Sequence, residues 1–274
     1  MAADSLIRMF ELTSFEAGRR LRGSLLLSSA LVALIALTIA LFPSIQATGP
    51  DLDAYLESLP PEATRAFVGS VTTLTTIEGY LVSQFYQFGW VILLAIYYAY
   101  AAASTVAGEL ERGTVEMTLT LPVSRTRFVV GKFLSLVPGL VLVNAITFLA
   151  IYLGVIFVDE SIDVVYLFAV HAYSIAYLLA CAGVGLLASV VFDSVRRAQT
   201  VGVGAVFGLF LLDTFTFGTD AEWLGDVAFS RYFDPGAILA EGEISWTDFS
   251  VLCVAVVVLL VVASEYFEQR DVSS

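Results

Sequence analysis

GELERGTVEMTLTLPVSRTRFVVGKF, residues 108–133, is the stretch on which the reading of this chain turns. It carries seven charges, Glu109, Glu111, Arg112, Glu116, Arg125, Arg127 and Lys132, between flanks that are almost uncharged for twenty residues or more. A charge at the centre of a bilayer costs about 2.5–3.5 kcal/mol on insertion scales, so a group of seven does not sink into hydrocarbon. The stretch therefore reads as a polar connection between two membrane helices. Residues 108–121 suit a short helix, with Glu109 and Arg112 three apart and Val115 and Leu119 four apart. The run EMTLTL also alternates, which leaves a strand open. Pro122 ends the segment, and Ser124 is placed to cap the helix that follows. A rigid knuckle fused to two spans is suited to receiving a push from a soluble partner; a solvated loop is the plain alternative.

Working outward, the 274 residues are 58% hydrophobic with a mean hydropathy of +0.87, against about 45–50% apolar for a soluble domain. Runs of about 20 uncharged residues match the thickness of the hydrocarbon core when helical. Six are present, at 24–43, 85–107, 133–157, 164–191, 200–217 and 248–264. The expected class is an all-α membrane protein forming one domain over residues 1–274. The first run is too long for a signal-peptide core, and its basic flank begins only at Arg19, so it reads as a retained span. Ahead of it, Leu6, Met9, Phe10, Thr13 and Ala17 recur near helical spacing among charged residues. Residues 1–23 are thus expected to lie as a helix in the interface. Pro138 is expected to kink the third span.

The charges orient the chain. With the N-terminus inside, 11 of the 13 basic residues fall on the cytoplasmic side, leaving Arg65 and Arg231 outside. This is the excess that cytoplasmic loops carry, and it predicts N-in and C-in. Sixteen of the 26 acidic residues fall in or beside the outer segments. A net charge of −13 argues against a nucleic-acid partner. One Lys against twelve Arg favours adaptation to high salt over attraction of a cationic substrate as the reason for the acidity.

Of the two outer segments, residues 44–84 are expected to hold short helices at 51–58 and 62–78. Residues 218–247 contain AEWLGDVAF and PGAILAEG, which read as short helical turns or a re-entrant hairpin. Asp213 near the outer end of span five is expected to face water. Asn144, His171 and Ser174 are polar groups inside spans, and hydrogen bonding between helices is their expected use. CAGVGLLAS at 181–189 and the GxxxG pair Gly204 and Gly208 read as helix-packing faces.

Catalytic chemistry finds no foothold. His171 and Ser174 lack a GxSxG elbow and a second histidine. Cys181 and Cys253 lie in apolar runs without a CxxC, which excludes a Cys/His metal cluster. There is no GxxxxGK[ST] phosphate loop, so any ATP-driven work needs a partner.

Gly113, Thr114, Glu116, Leu121, Pro122, Ser124, Arg125, Gly131 and Lys132 together resemble the cytoplasmic loop of ABC-2 type transporter permeases, particularly the NosY-like group. RYFDPG at 231–236 and the closing Phe267, Arg270 and Asp271 are similar to the end of the same family, and residues 1–23 to its elbow helix. The resemblance implies six spans per permease, a second permease copy as homodimer or heterodimer, and a separate ATP-binding subunit that holds the ATP and Mg. It also implies re-entrant helices after span five. No catalytic, cofactor-binding or metal-binding residue is expected in this chain. Glu109, Glu111, Arg112, Gly113, Thr114, Glu116, Leu121, Pro122, Ser124 and Arg125 would form the ATPase-coupling segment. The acidity and the scarcity of lysine resemble haloarchaeal members. The expected function is a plasma-membrane exporter subunit; an ABC-like component that extracts lipids or proteins or senses the membrane, and an ion-coupled transporter, are the alternatives.

Overall fold

The computed structural model describes residues 2–58, 64, 68–71, 73–113 and 124–270, with backbone only for 2–17, 19, 49–52 and 55–57. Every regular element among them is helical. In hydrocarbon the backbone must satisfy its own hydrogen bonds, which helices do segment by segment. Six helical segments are long and apolar enough to cross a membrane: Arg20–Thr48, Ile77–Glu111, Arg125–Phe157, Val164–Val191, Val195–Thr216 and Trp246–Gln269. They are called spans one to six below. The protein is an all-α, six-span membrane protein.

Span four is the axis of the bundle. Its apolar window is 72% buried and that of span two 61%, against 17% for span six, whose valines face outward. Span four packs against spans two, five and six, while span one lies mainly on span three. The close approach of spans two, four and five depends on Gly185 and Gly202. A Cβ at Gly185 would collide with the Ala99 carbonyl, and one at Gly202 would lie 3.2 Å from Gly185 Cα. Small residues at such crossings let backbones meet in lipid. Gly204 and Gly208 sit differently: a Cβ at either would meet nothing within 4 Å. Within this chain the GxxxG pair is not a packing face, and the packing glycine on span five is Gly202, two residues before Gly204 and so on the opposite side of the helix.

Several elements depart from the sequence expectation. Residues 1–23, span one and 51–58 are not separate pieces, because a single helix runs from Ala2 to Glu57, with Pro43 and Pro50 inside it. Of the expected 62–78 helix, residues 62, 63, 65–67 and 72 lie outside the described residues, and 69–71 and 73–76 are not helical. Thr73 Oγ1 donates to Asp53 Oδ2 at 2.6 Å and the Leu74 amide to Asp53 Oδ1 at 2.8 Å. Thr76 then caps a helix starting at Ile77, accepting from the Gly79 amide. Span two therefore begins about two turns before the expected 85, and Val82–Leu94 is a π-helix, a class seldom longer than one turn. Span three is interrupted rather than merely bent: Arg125–Leu134 ends in a turn, and Val137–Phe157 restarts with Pro138 in its first turn, where a missing donor costs nothing.

Residues between spans five and six fold as short helices, Glu222–Val227 and Phe229–Tyr232 in 3-10 form and Pro235–Leu239 in α form. Asp234 caps the last of these, accepting from the Gly236 and Ala237 amides, and also takes the Ser70 hydroxyl at 2.5 Å. The segment before span two is thereby stitched to the segment after span five. Asp213 is buried, contrary to the expectation that it faces water. It accepts from Ser230 Oγ at 2.8 Å and from Arg231 at 3.4 Å, and Arg231 also pairs with Glu222 and Asp226. This is the acidic end of the bundle; Arg112, Arg125, Lys132 and Arg270 mark the opposite, basic end.

Candidate functional site

At the basic end span two finishes in the short helix Ala107–Glu111. Ser189 of span four sets its start: the Ser189 hydroxyl oxygen accepts from both the Val106 and Ala107 amides, each at 2.9 Å. Two amides that a helix start leaves without intrahelical partners are thus satisfied from a neighbouring span. Gly113, at φ +66°, closes the helix in the left-handed conformation that glycine adopts without strain. The expected helix over 108–121 is therefore short in its described part. Thr114, Glu116, Leu121 and Pro122 lie outside the described residues.

Each charged residue of this helix has a separate reach. Glu109 forms an ion pair with Lys132 of span three. The Lys132 side chain is 3% exposed, and its ammonium also lies 5.3 Å from the centre of the Phe128 ring. Glu111 extends the other way, where its Oε2 accepts from the Val195 amide at 3.1 Å. Val195 is the first residue of span five, whose Ser194 makes no side-chain cap, so the carboxylate of Glu111 takes over the capping and sits at the positive end of the helix. Arg112 is exposed. One helical turn therefore touches spans three, four and five while being continuous with span two.

Span three begins as the sequence predicts, with Ser124 as its cap: the Arg127 amide donates to Ser124 Oγ at 3.3 Å. Arg125 turns toward the end of span six. Its Nη1 donates to the carbonyls of Arg270 at 2.5 Å, Glu268 at 3.2 Å and Phe267 at 3.5 Å, oxygens that a helix C-terminus leaves unpaired. Thr126 bonds Glu268. Arg270 passes the linkage on, donating to the Val190 carbonyl at 2.5 Å and pairing with Asp193. Glu109, Glu111, Arg112, Gly113, Ser124 and Arg125 are thus gathered at one end of the bundle. Ser189, Asp193 and the Val195 amide complete the cluster. Nothing in their local sequence marks them, because their role comes from helices that meet only in the fold.

A second polar assembly lies in the core. Asn144 Oδ1 accepts from His171 Nδ1 at 3.0 Å and from the Ser174 hydroxyl at 2.7 Å, while Tyr86 Oη is hydrogen-bonded to His171 Nε2 at 3.1 Å. The direction is fixed by Asn144 Nδ2, which donates to the Leu140 carbonyl and so turns Oδ1 toward the imidazole. The imidazole lies edge-on to Tyr86, Trp90 and Phe148. Spans two, three and four are joined by this chain of bonds, which is the helix-joining role expected of Asn144. Among the described residues no group of three or more His, Cys, Asp or Glu stands close enough to hold a metal ion.

The family model described as ABC-2 family transporter protein matches residues 15–272. No curated protein matches the chain significantly. A match over nearly the whole length places the chain, which belongs to the ABC-2 family of transporters and is a membrane permease subunit without catalytic activity of its own.

Proposed function

We propose that this permease is the membrane half of an ATP-driven exporter of the plasma membrane, and that the basic end is the face on which a separate ATP-binding subunit docks. The chain lies N-in and C-in, with residues 108–121 toward the cytoplasm, because that orientation keeps the basic residues inside. Residues 1–23 act as the elbow at the cytoplasmic interface, and the short helices between spans five and six act at the outer surface. Two permeases, alike or different, share the transporter, and lipid surrounds both. ATP and Mg are held by the docked subunit. The NosY-like group and a haloarchaeal origin are the finer assignment supported by the 113–132 motif and the acidic, lysine-poor composition.

The observation that carries this reading is the double reach of the 107–111 helix. Glu109 holds span three and Glu111 holds span five, so a push on the segment moves both together with span two. Thr114, Glu116, Leu121 and Pro122 are assigned to the same coupling segment. Arg112 is the position at which docking is best tested, because it is exposed, whereas Glu109 is committed to a buried lysine. Arg112→Glu should reduce copurification of the cognate ATPase while leaving the amount of inserted permease unchanged. Undiminished ATPase on the variant would refute the docking assignment.

A further inference from the structure

Span two is wound against the ordinary preference of a helix. Over Val82–Leu94 it is a π-helix, a form met elsewhere as single turns, before it continues as α-helix over Ala95–Ala103. Two contacts hold that winding. Tyr177 of span four, itself buried, donates its hydroxyl to the Val91 carbonyl at 2.7 Å. The amide that would bond this carbonyl in an α-helix is that of Ala95, which donates to the Ile92 carbonyl instead. Phe85 and Trp90 meet with ring centroids 5.1 Å apart. Around an α-helix two such positions would point about 140° away from each other. Two groups oppose the winding. The Trp90 indole N–H and the Tyr98 hydroxyl are buried on the same span without a hydrogen-bond partner, and an orphaned group disfavours the conformation that orphans it.

We infer that span two has two windings, the π form described here and an α form, and that Tyr177 is the latch between them. Release of the Val91 carbonyl by Tyr177 lets the Ala95 amide take it. The segment then rewinds as α-helix, and the Trp90 indole turns out of the place where it has no acceptor. A π-helix has more residues per turn and a smaller rise than an α-helix, so rewinding lengthens span two and rotates its ends against each other. The inner end carries the 107–111 helix. The latch is reached from the outer side. The Tyr177 ring is stacked on Phe233, centroids 5.0 Å apart, and the next residue, Asp234, caps the Pro235–Leu239 helix and holds Ser70. Movement of that outer segment therefore acts on the same side chain that fixes the winding. The inference needs neither an ATP-binding subunit nor its docking face.

The full chain in lipid nanodiscs, spin-labelled at Gln84→Cys and Tyr100→Cys and read by double electron–electron resonance, tests it. Both positions are exposed on span two and bracket most of the π segment. Cys253→Ala removes the accessible native thiol, and Cys181 is buried. An unbroken α-helix separates the two backbone positions by about 24 Å along its axis. The parent should read shorter than that, and Tyr177→Phe, which removes one hydroxyl, should lengthen the distance by a few ångströms. In Tyr98→Phe/Tyr177→Phe an opposing group is also gone, so part of the short distance should return. Tyr173→Phe breaks a different bond of span four, to the Ser245 carbonyl, and should leave the distance as in the parent. An unchanged distance in Tyr177→Phe overturns the inference. Equal lengthening in Tyr173→Phe means general loosening of span four and overturns it too, as does a double variant with no more of the short distance than Tyr177→Phe alone. If Tyr177→Phe does not fold, Phe85→Leu removes the other holding contact and carries the same expectations. No readout involves ATP, so the result stands apart from the docking assignment.

Discussion

Replacing Glu109 by Gln should destabilise the permease far more than its position in a polar connection suggests. The lysine it holds is 3% exposed and the carboxylate itself 15%. Removing one member of a buried pair takes the counter-charge from the other in a place with little water, which costs about 3–5 kcal/mol. The partial exposure of Glu109 puts the expected loss near the lower figure, roughly 3 kcal/mol, because water enters more easily on that side. At about 2–4 °C per kcal/mol for a chain of this size, the unfolding midpoint should fall by roughly 6–12 °C. Removing both charges is a different perturbation. In Glu109→Leu/Lys132→Met no charge is stranded and apolar volume replaces the pair, so the midpoint should return to within about 1 kcal/mol of the parent. The assay is thermal unfolding of the purified full chain in one detergent at one scan rate, since such midpoints are rate-dependent. A midpoint for Glu109→Gln within about 2 °C of the parent would refute the argument. So would a double variant that loses as much as Glu109→Gln does. On the proposed docking of an ATP-binding subunit, the double variant should be stable and yet poorly coupled, because the tie between the 107–111 helix and span three is gone.

Three further outcomes follow from the same contacts. Ser189→Ala orphans the Val106 and Ala107 amides, each worth about 1–3 kcal/mol when left buried without a partner, and should lower the midpoint by several degrees and speed hydrogen exchange at those two amides. Gly185→Ala drives a methyl group into the Ala99 carbonyl and should cost about 1–3 kcal/mol in thermal unfolding, whereas Gly204→Ala and Gly208→Ala, which face open space in this chain, should leave the isolated subunit unchanged. Asn144→Val removes the acceptor of His171 and Ser174 and should cost about 0.6–1.7 kcal/mol in the same assay, the range measured for hydrogen bonds between membrane helices.

What the sequence discloses here is the part governed by single-helix physics. Span number and approximate place follow from uncharged length, and Ser124 could be read as a cap because capping is local. Span two escaped in its first two turns because Ile77–Gln84 mixes Glu78, Ser83 and Gln84 with apolar residues, and a π-helix has no accepted signature in a pattern search built on 3.6 residues per turn. The glycines show the same limit. Gly204 and Gly208 have the familiar spacing, but spacing does not say which face of span five meets another helix, and Gly202 meets it instead. Asn144, His171 and Ser174 were legible as polar groups needing partners; that they satisfy one another through Tyr86 required the crossing of three spans. In the junction, Glu109 and Glu111 are conspicuous by charge, whereas Val195 contributes only a main-chain amide and leaves no trace in residue type.

The guanidinium of Arg125 grips the carbonyls of residues 267–270, and Arg270 grips the end of span four. That arrangement dictates an order of biosynthesis. Spans one to five emerge from the ribosome and enter the bilayer while the carbonyls that Arg125 needs do not yet exist. Assembly at the basic end can close only after translation has passed residue 270, so the last residues of the chain complete a junction whose other partners are already in the membrane.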